Sequence, residues 1–383
     1  MPWKEIYVMD QKIQMISQWL SGEYTIAEIS RIHGISRKTV YKWIERYQRN
    51  RDEGLRDLSS RPITYARATP TETVHEILKA KTRYETWGSR KILKWLTDHH
   101  PEQQWPVNST VHEILRRHGK VKARRKKRRT PPYTEPFEKV ARPNDVWSVD
   151  YKGQFRLGNG RYCYPLTVTD NYSRYLMECQ GLAAPSYEPT RYYLEKAFRR
   201  YGLPSVIRTD NGTPFASTGI HGLSRLSVWF IKLGIVPERI DKGHPEQNGR
   251  HERMHKTLKA EATRPPRYGM KEQQRVFNRF MDYYNNERPH EALEQKTPGT
   301  AYQKSVRSYP DKLPVIEYPD HYKTRHIHRG GTIKWRNKEL YLSGTLAGEY
   351  VGLTEVDNGM WKIYFSFVPI ALIDETTLTI QSL

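Results

Sequence analysis

Two cysteines in 383 residues, Cys163 and Cys179, cannot build a disulfide framework, and neither lies in a CxxC or Cys/His pattern that would bind zinc. A reduced, intracellular compartment is the expectation. Long hydrophobic runs are missing as well: no stretch approaches the roughly 18 apolar residues of a membrane span. Residues 1–10 hold no apolar run followed by a small-residue cleavage site. The chain is therefore expected to be soluble and cytoplasmic, with no membrane partner. Acidic residues are scarce beside basic ones, 42 Asp and Glu against 64 Lys and Arg, for a net charge of +22. That imbalance sets up a lasting positive field. Nucleic acid is the natural partner, although ribosomal proteins and binders of anionic membranes share the feature.

What is present is modular, and at about 100–200 residues per domain the length implies two to four domains. In residues 1–50, Ile26, Ile29, Ser30, Gly34, Ile35, Val40 and Trp43 fall where a helix-turn-helix needs apolar, small and turn residues. Gly34 makes the sharp turn and Ser36 can cap the next helix. The apolar positions Val40, Trp43, Ile44 and Tyr47 of that helix leave Arg37, Lys38, Lys42 and Arg46 on another face, suited to a DNA major groove. A helical hairpin with a solvated basic face is the plainer alternative.

Residues 68–120 read as a second helical unit with helices over 71–83, 89–99 and 109–118, the last capped by Asn108 or Ser109 and ended by Gly119. It is either a second DNA-binding domain or a three-helix spacer. Residues 121–144 read as a basic and Pro-rich linker. In residues 116–129, ten of fourteen are Lys or Arg and none is acidic, ending in Arg124, Arg125, Lys126, Lys127, Arg128 and Arg129. Such a run repels itself until phosphates neutralise it, while Pro131, Pro132, Pro136 and Pro143 keep the chain extended and mark a boundary.

From residue 145 the pattern changes to three consecutive strands, 146–151, 162–169 and 174–179. A helix over 190–201, a strand over 205–209, a helical insert, and helices over 247–262 and 271–286 follow. Strands first, then alternating helix and strand, is the order of an α/β RNase H-like core with a mixed sheet. After Tyr322 the chain is β-like again, and residues 322–383 read as a small β-barrel.

Three carboxylates stand out in the central region. Asp150 lies inside an otherwise buried strand, where a charge is costly unless partnered, and a metal ion is a ready partner. Asp210 ends the strand at 205–209 and opens the turn Asn211-Gly212, a common turn sequence in its own right. Glu252 lies on a helix whose apolar stripe is Met254, Leu258 and Ala262, with Lys256 and Lys259 on the carboxylate's side. A Glu followed four residues later by Lys is ordinarily a surface ion pair. Asp170 reads as a turn residue, and His244, His251 and His255 as neutral surface histidines.

Taken together, Trp-Ser-Val-Asp150, Arg-Thr-Asp210-Asn-Gly and His-Pro-Glu-Gln-Asn-Gly-Arg-His-Glu252-Arg-Met-His-Lys-Thr-Leu-Lys resemble the retroviral-integrase-like DDE transposases of bacterial insertion sequences. Asn285-Asn286-Glu287-Arg288-Pro289-His290 matches the segment after their core. The resemblance covers residues 145–300 most closely. It implies an enzyme in which Asp150, Asp210 and Glu252 are catalytic and hold two Mg²⁺ (or Mn²⁺) ions per active site. Such an enzyme cleaves DNA to expose 3′-hydroxyls and joins them to target DNA. The partners implied are double-stranded DNA, as terminal inverted repeats and as target, and further copies of the chain in a dimer or higher multimer. A bacterial, nucleoid-associated protein is implied as well. A catalytically inactive DNA-binding regulator and a plain nuclease are the rivals. Spacing brings one departure: many members have 35 residues between the second Asp and the Glu, which from Asp210 falls on Glu246, whereas 41 separate Asp210 from Glu252. The pattern around Glu252 favours that residue, with the extra residues placed in the insert at 216–233.

Overall fold

The computed structural model describes residues 7–58, 68–122, 140–217, 219–241 and 244–383. Two units, Met1–Ala68 and Thr69–Leu383, each have their own core. The run from Arg124 to Arg129 lies outside the described residues. Among the described residues no helix is long and apolar enough to cross a membrane.

Among the described residues the first unit has three α-helices, α1 (Val8–Ser21), α2 (Ile26–Ile32) and α3 (Arg37–Asn50), and a short 3-10 turn at Arg51–Leu55. Thr25 and Glu28 form a reciprocal capping box on α2, and Ser36 accepts from the Thr39 amide at 3.1 Å to start α3. Gly34, at φ +63°, makes the turn between them in a conformation that favours glycine. Met15, Ile16, Ile29, Val40, Ile44 and Leu55 fill the centre. Lys12 is buried with them, its ammonium 3.9 Å from the Trp43 ring centre and 2.7 Å from Asp57.

The second unit begins with α4 (Thr71–Arg83), α5 (Ser89–His99) and α6 (Asn108–Arg117). The expected cap of α6 differs: Val107 holds the cap position, no side chain caps the helix, and Asn108 starts the helix itself with its Oδ1 buried and unbonded. These helices close over Ile77, Trp87, Ile92, Leu96, Val111 and Leu115.

The central sheet is built from β1 (Val146–Tyr151), β2 (Phe155–Arg156), β3 (Tyr162–Asp170), β4 (Leu176–Leu182), β5 (Val206–Thr209) and β6 (Val236–Arg239). Its order is β4-β3-β1-β5-β6, with β2 paired to the start of β3. Strand β3 is antiparallel to β1 and β4, β5 is parallel to β1, and β6 is parallel to β5. This is the mixed sheet expected from the order of elements. Helices α7 (Tyr187–Tyr201) and α8 (Arg225–Lys232) cover one face, while α9 (Gly249–Ala262) and α10 (Met270–Asn286) cover the other. A short α11 (Pro298–Ala301) follows. Side chains alternate across a strand, so Trp147, Val149, Leu166, Val168 and Ile207 point to the first face. Ser148, Asp150, Thr167, Thr169 and Arg208 are left on the face of α9. Both cysteines are buried and free, in the core beneath α9 and α10.

Helix α8 buries apolar side chains on two faces. Leu226, Trp229 and Phe230 join the central core, whereas Val228 and Ile231 join a second core with the C-terminal strands. Those strands are β7 (Lys323–His326), β8 (Thr332–Trp335), β9 (Lys338–Tyr341), β10 (Tyr350–Asp357), β11 (Met360–Phe365), β12 (Val368–Asp374) and β13 (Thr379–Ser382). The expected β-barrel is not closed. An open antiparallel sheet, β13-β12-β11-β10-β7, stands beside a separate hairpin of β8 and β9. The hairpin is held by side chains, with Trp335 5.0 Å from Trp361 between ring centres, rather than by a backbone ladder. Closure needs paired edges, and among the described residues no ladder joins the hairpin to the sheet.

Candidate active site

Asp150 and Asp210 meet because of strand register. Val149 is the parallel partner of Thr209, so the residues that follow, Asp150 on β1 and Asp210 just past the end of β5, are brought together there. Asp210 then folds into its turn, accepting from the Gly212 amide at 3.1 Å, while the Asn211 side chain donates to the Ile240 carbonyl at 2.6 Å. Gly212 is required by closeness. A Cβ there would lie 2.9 Å from Asp210 Oδ2, so any side chain would displace the carboxylate.

Glu252 comes from the first turn of α9 and is exposed. Among the described residues it makes no ion pair, Lys256 included, so the surface-pair alternative does not hold. Its charge is felt at Asp150. Burial first, then the Asp210 charge and the Glu252 charge push the Asp150 carboxyl up to about 7, only partly offset by the Tyr151 amide and Lys152. Burial also raises Asp210. A buried carboxylate crowded by two others is stabilised by a cation, and all-oxygen donors match the hard ion Mg²⁺. Glu246 belongs to the short turn Pro245–Asn248 ahead of α9.

Two histidines read from the sequence as surface residues are instead buried: His251 is 1% exposed and His255 8%. Thr167 Oγ1 lies 2.7 Å from Nε2 of each ring, and Thr169 Oγ1 lies 2.7 Å from His251 Nδ1. Asp150, His251 and His255 bring one donor atom each to within 4.8 Å of one another. The sequence carried a signal for this. Residues 251, 255, 258 and 262 form a continuous helical stripe, of which only the apolar members were counted. Asp170 is a buried anchor of the β3–β4 turn, accepting from the amides of Asn144 and Ser173 and from the Ser173 hydroxyl at 2.6 Å. Trp147 is its ladder partner, three residues before Asp150.

Basic residues rim the carboxylates. Lys256 and Lys259 are exposed, and the charges of Lys259 and Arg264 add to burial in lowering the proton affinity of Lys152, a neighbour of Asp150 that sequence reading passed over. At the start of α9 a cavity of about 360 Å³ is lined by Arg174, Arg250 and Lys296 among others. On α3, Arg37, Lys38 and Lys42 are exposed. Arg46 departs from that face: its guanidinium lies 4.5 Å from the Trp43 ring centre and donates to the Arg56 carbonyl.

Known proteins resemble these parts separately. Residues 140–245 and 233–298 match integrase core domains, residues 11–63 a helix-turn-helix domain, and residues 39–115 a homeodomain-like domain. An uncharacterized 31.7 kDa protein of insertion element IS407 from Burkholderia multivorans is 28% identical over 49% of this chain and 66% of its own length. An uncharacterized 39.2 kDa protein of insertion element IS476 from Xanthomonas euvesicatoria is 28% identical over 47% of this chain and 50% of its own. The match thus spans less than two thirds of either relative. The solved catalytic core of HTLV-2 integrase in complex with magnesium is 16% identical, covering 43% of this chain and 100% of that one with a TM-score of 0.35.

Proposed function

We propose that this chain, in which integrase core matches follow helix-turn-helix matches, is an insertion-sequence protein and a DNA transposase. It would bind the ends of its mobile element, cleave there and join the freed ends to target DNA. The observation that carries this is the convergence of three carboxylate charges at Asp150, from three separate parts of the chain. Asp150, Asp210 and Glu252 would hold two Mg²⁺ or Mn²⁺ ions. Bound there, such ions supply an activated water or hydroxyl and charge stabilisation at the leaving oxygen.

The chain's own residues do the rest. Gly212 and Asn211 fix the Asp210 carboxylate, and β1 fixes that of Asp150. Lys152, Lys259 and Arg264 attract the phosphate backbone to the rim, with Lys256 on the same helix. Arg37, Lys38 and Lys42 read the element's end from α3, while residues 124–129 track phosphates. The proposed division is 1–50 and 68–120 for end binding, 121–144 as linker, 145–300 for chemistry and 322–383 for contact with DNA or a neighbouring copy. Joining two ends in concert calls for at least a dimer on DNA.

Incubating the full chain with Mg²⁺ and an oligonucleotide bearing the element's end tests the proposal. Joined products are expected. Shortened strands alone would mean a nuclease, and retention without cleavage would mean a DNA-binding regulator. Glu252→Gln is expected to lose both steps and Glu246→Gln to keep them; the reverse would move the third carboxylate to residue 246.

A further inference from the structure

We propose that His255 gives the cation held by Asp150 a nitrogen ligand, making the site a mixed oxygen and nitrogen one. The inference rests on the metal-dependent reading above and adds a residue to it.

The Thr167 hydroxyl decides the matter because it has one proton and three neighbours. Its Oγ1 is 3.0 Å from the Asp150 carbonyl oxygen and 2.7 Å from Nε2 of both His251 and His255. A carbonyl only accepts, so the hydroxyl proton goes there. Both Nε2 atoms must then donate to Thr167. His251 has its second nitrogen satisfied too, since Nδ1 lies 2.7 Å from the Thr169 hydroxyl, which donates to it. It has no free lone pair. His255 differs. With its proton on Nε2, its Nδ1 carries a lone pair that faces Asp150 Oδ2 at 3.9 Å. Both rings are buried, His251 at 1% and His255 at 8% exposure.

With Asp150 ionised, two acceptors face each other in a buried place, an arrangement that gains when a cation lies between them. Metal bonds of about 2.1 Å to nitrogen and to oxygen can together span that gap. Of the three groups that cluster here, Asp150 and His255 are available and His251 is a positioning residue that holds Thr167. An imidazole ligand shifts preference away from Mg²⁺ and toward Mn²⁺ or Zn²⁺.

Pulsed electron paramagnetic resonance of the full chain loaded with Mn²⁺ alone reads this directly. The expected spectrum shows coupling to a directly bound nitrogen. That coupling disappears in His255→Asn, with Mn²⁺ affinity falling by roughly tenfold or more. Mn²⁺ bound to wild-type protein without nitrogen coupling overturns the inference and leaves the transposase reading in place. Failure of Mn²⁺ to bind at all overturns both. Coupling that survives unchanged in a folded His255→Asn protein also overturns it. Should that variant not fold, the wild-type spectrum after uniform ¹⁵N-histidine labelling gives the answer, since a histidine ligand must change its isotope signature.

Discussion

Asp150→Asn is expected to abolish the proposed cleavage and joining and at the same time to raise the melting temperature of the metal-free protein at pH 8. The first effect is a loss on the order of a thousandfold or more, the scale on which removing a preorganised charge-stabilising group acts. The second follows from proton linkage. In the folded chain the Asp150 carboxyl is pushed up to about 7, against 3.8 for an unperturbed one. Between those values the folded state keeps a proton that the unfolded state has lost. Stability is therefore fullest below about pH 4 and is lost as the pH rises through about 7, at most about 4 kcal/mol in all. Asparagine removes the charge and with it the loss. Thermal melts at pH 8 and pH 4 without divalent ions check this, the gap between variant and wild type being wide at the first and closed at the second. Mg²⁺ is expected to raise the wild-type melt at pH 8 and leave the variant unmoved. A variant that melts no higher than wild type at pH 8 would remove the electrostatic case for a cation site.

Ile231→Asp detaches the C-terminal sheet. Ile231 is 1% exposed and packs into the core shared with Trp335, Trp361 and Phe365. Burying the aspartate charge there costs several kcal/mol. By contrast, Lys232→Ala on the same helix removes a 2.6 Å ion pair with Glu349 that is about a quarter exposed, and should cost about 1 kcal/mol or less. Limited proteolysis distinguishes them: the Ile231 variant releases a C-terminal fragment early, and the Lys232 variant is cut like wild type. Equal resistance in all three proteins would show that α8 does not hold the sheet.

Much of the fold was legible where periodicity and burial agree. Strand β1 lies where the sequence predicts it, because its ends are marked by charge and turn residues. Strand β6 was missed because Val-Pro-Glu-Arg carries no apolar alternation; it is an edge strand, held by a parallel ladder to β5 and by the ion pair of Arg208 with Glu238. Strand β12 was hidden by Pro369, which is tolerated because the ladder shifts register opposite it, between Ile363 and Tyr364. The open C-terminal sheet was beyond local reading, since closure depends on pairing between the first and last strands. At the site, the carboxylates could be found because charge inside an apolar strand is conspicuous. His251 and His255 were marked only by their place on the buried stripe of α9, since the groups they bond, Thr167 and Thr169, lie more than 80 residues away along the chain.

The helices α4 to α6 are fastened by side chains to α10 and the loop after it. Trp87 donates to the Tyr283 hydroxyl at 2.6 Å, Arg83 pairs with Glu287 at 3.0 Å, and Arg90 pairs with Glu291 at 2.8 Å. Anything gripped by these helices therefore sits at a set distance from Asp150, as on a ruler whose zero mark is the β1 strand end. Lengthening the connection between α6 and β1 would leave that ruler unchanged, because the gauge is fixed by side chains on α10 and the loop after it.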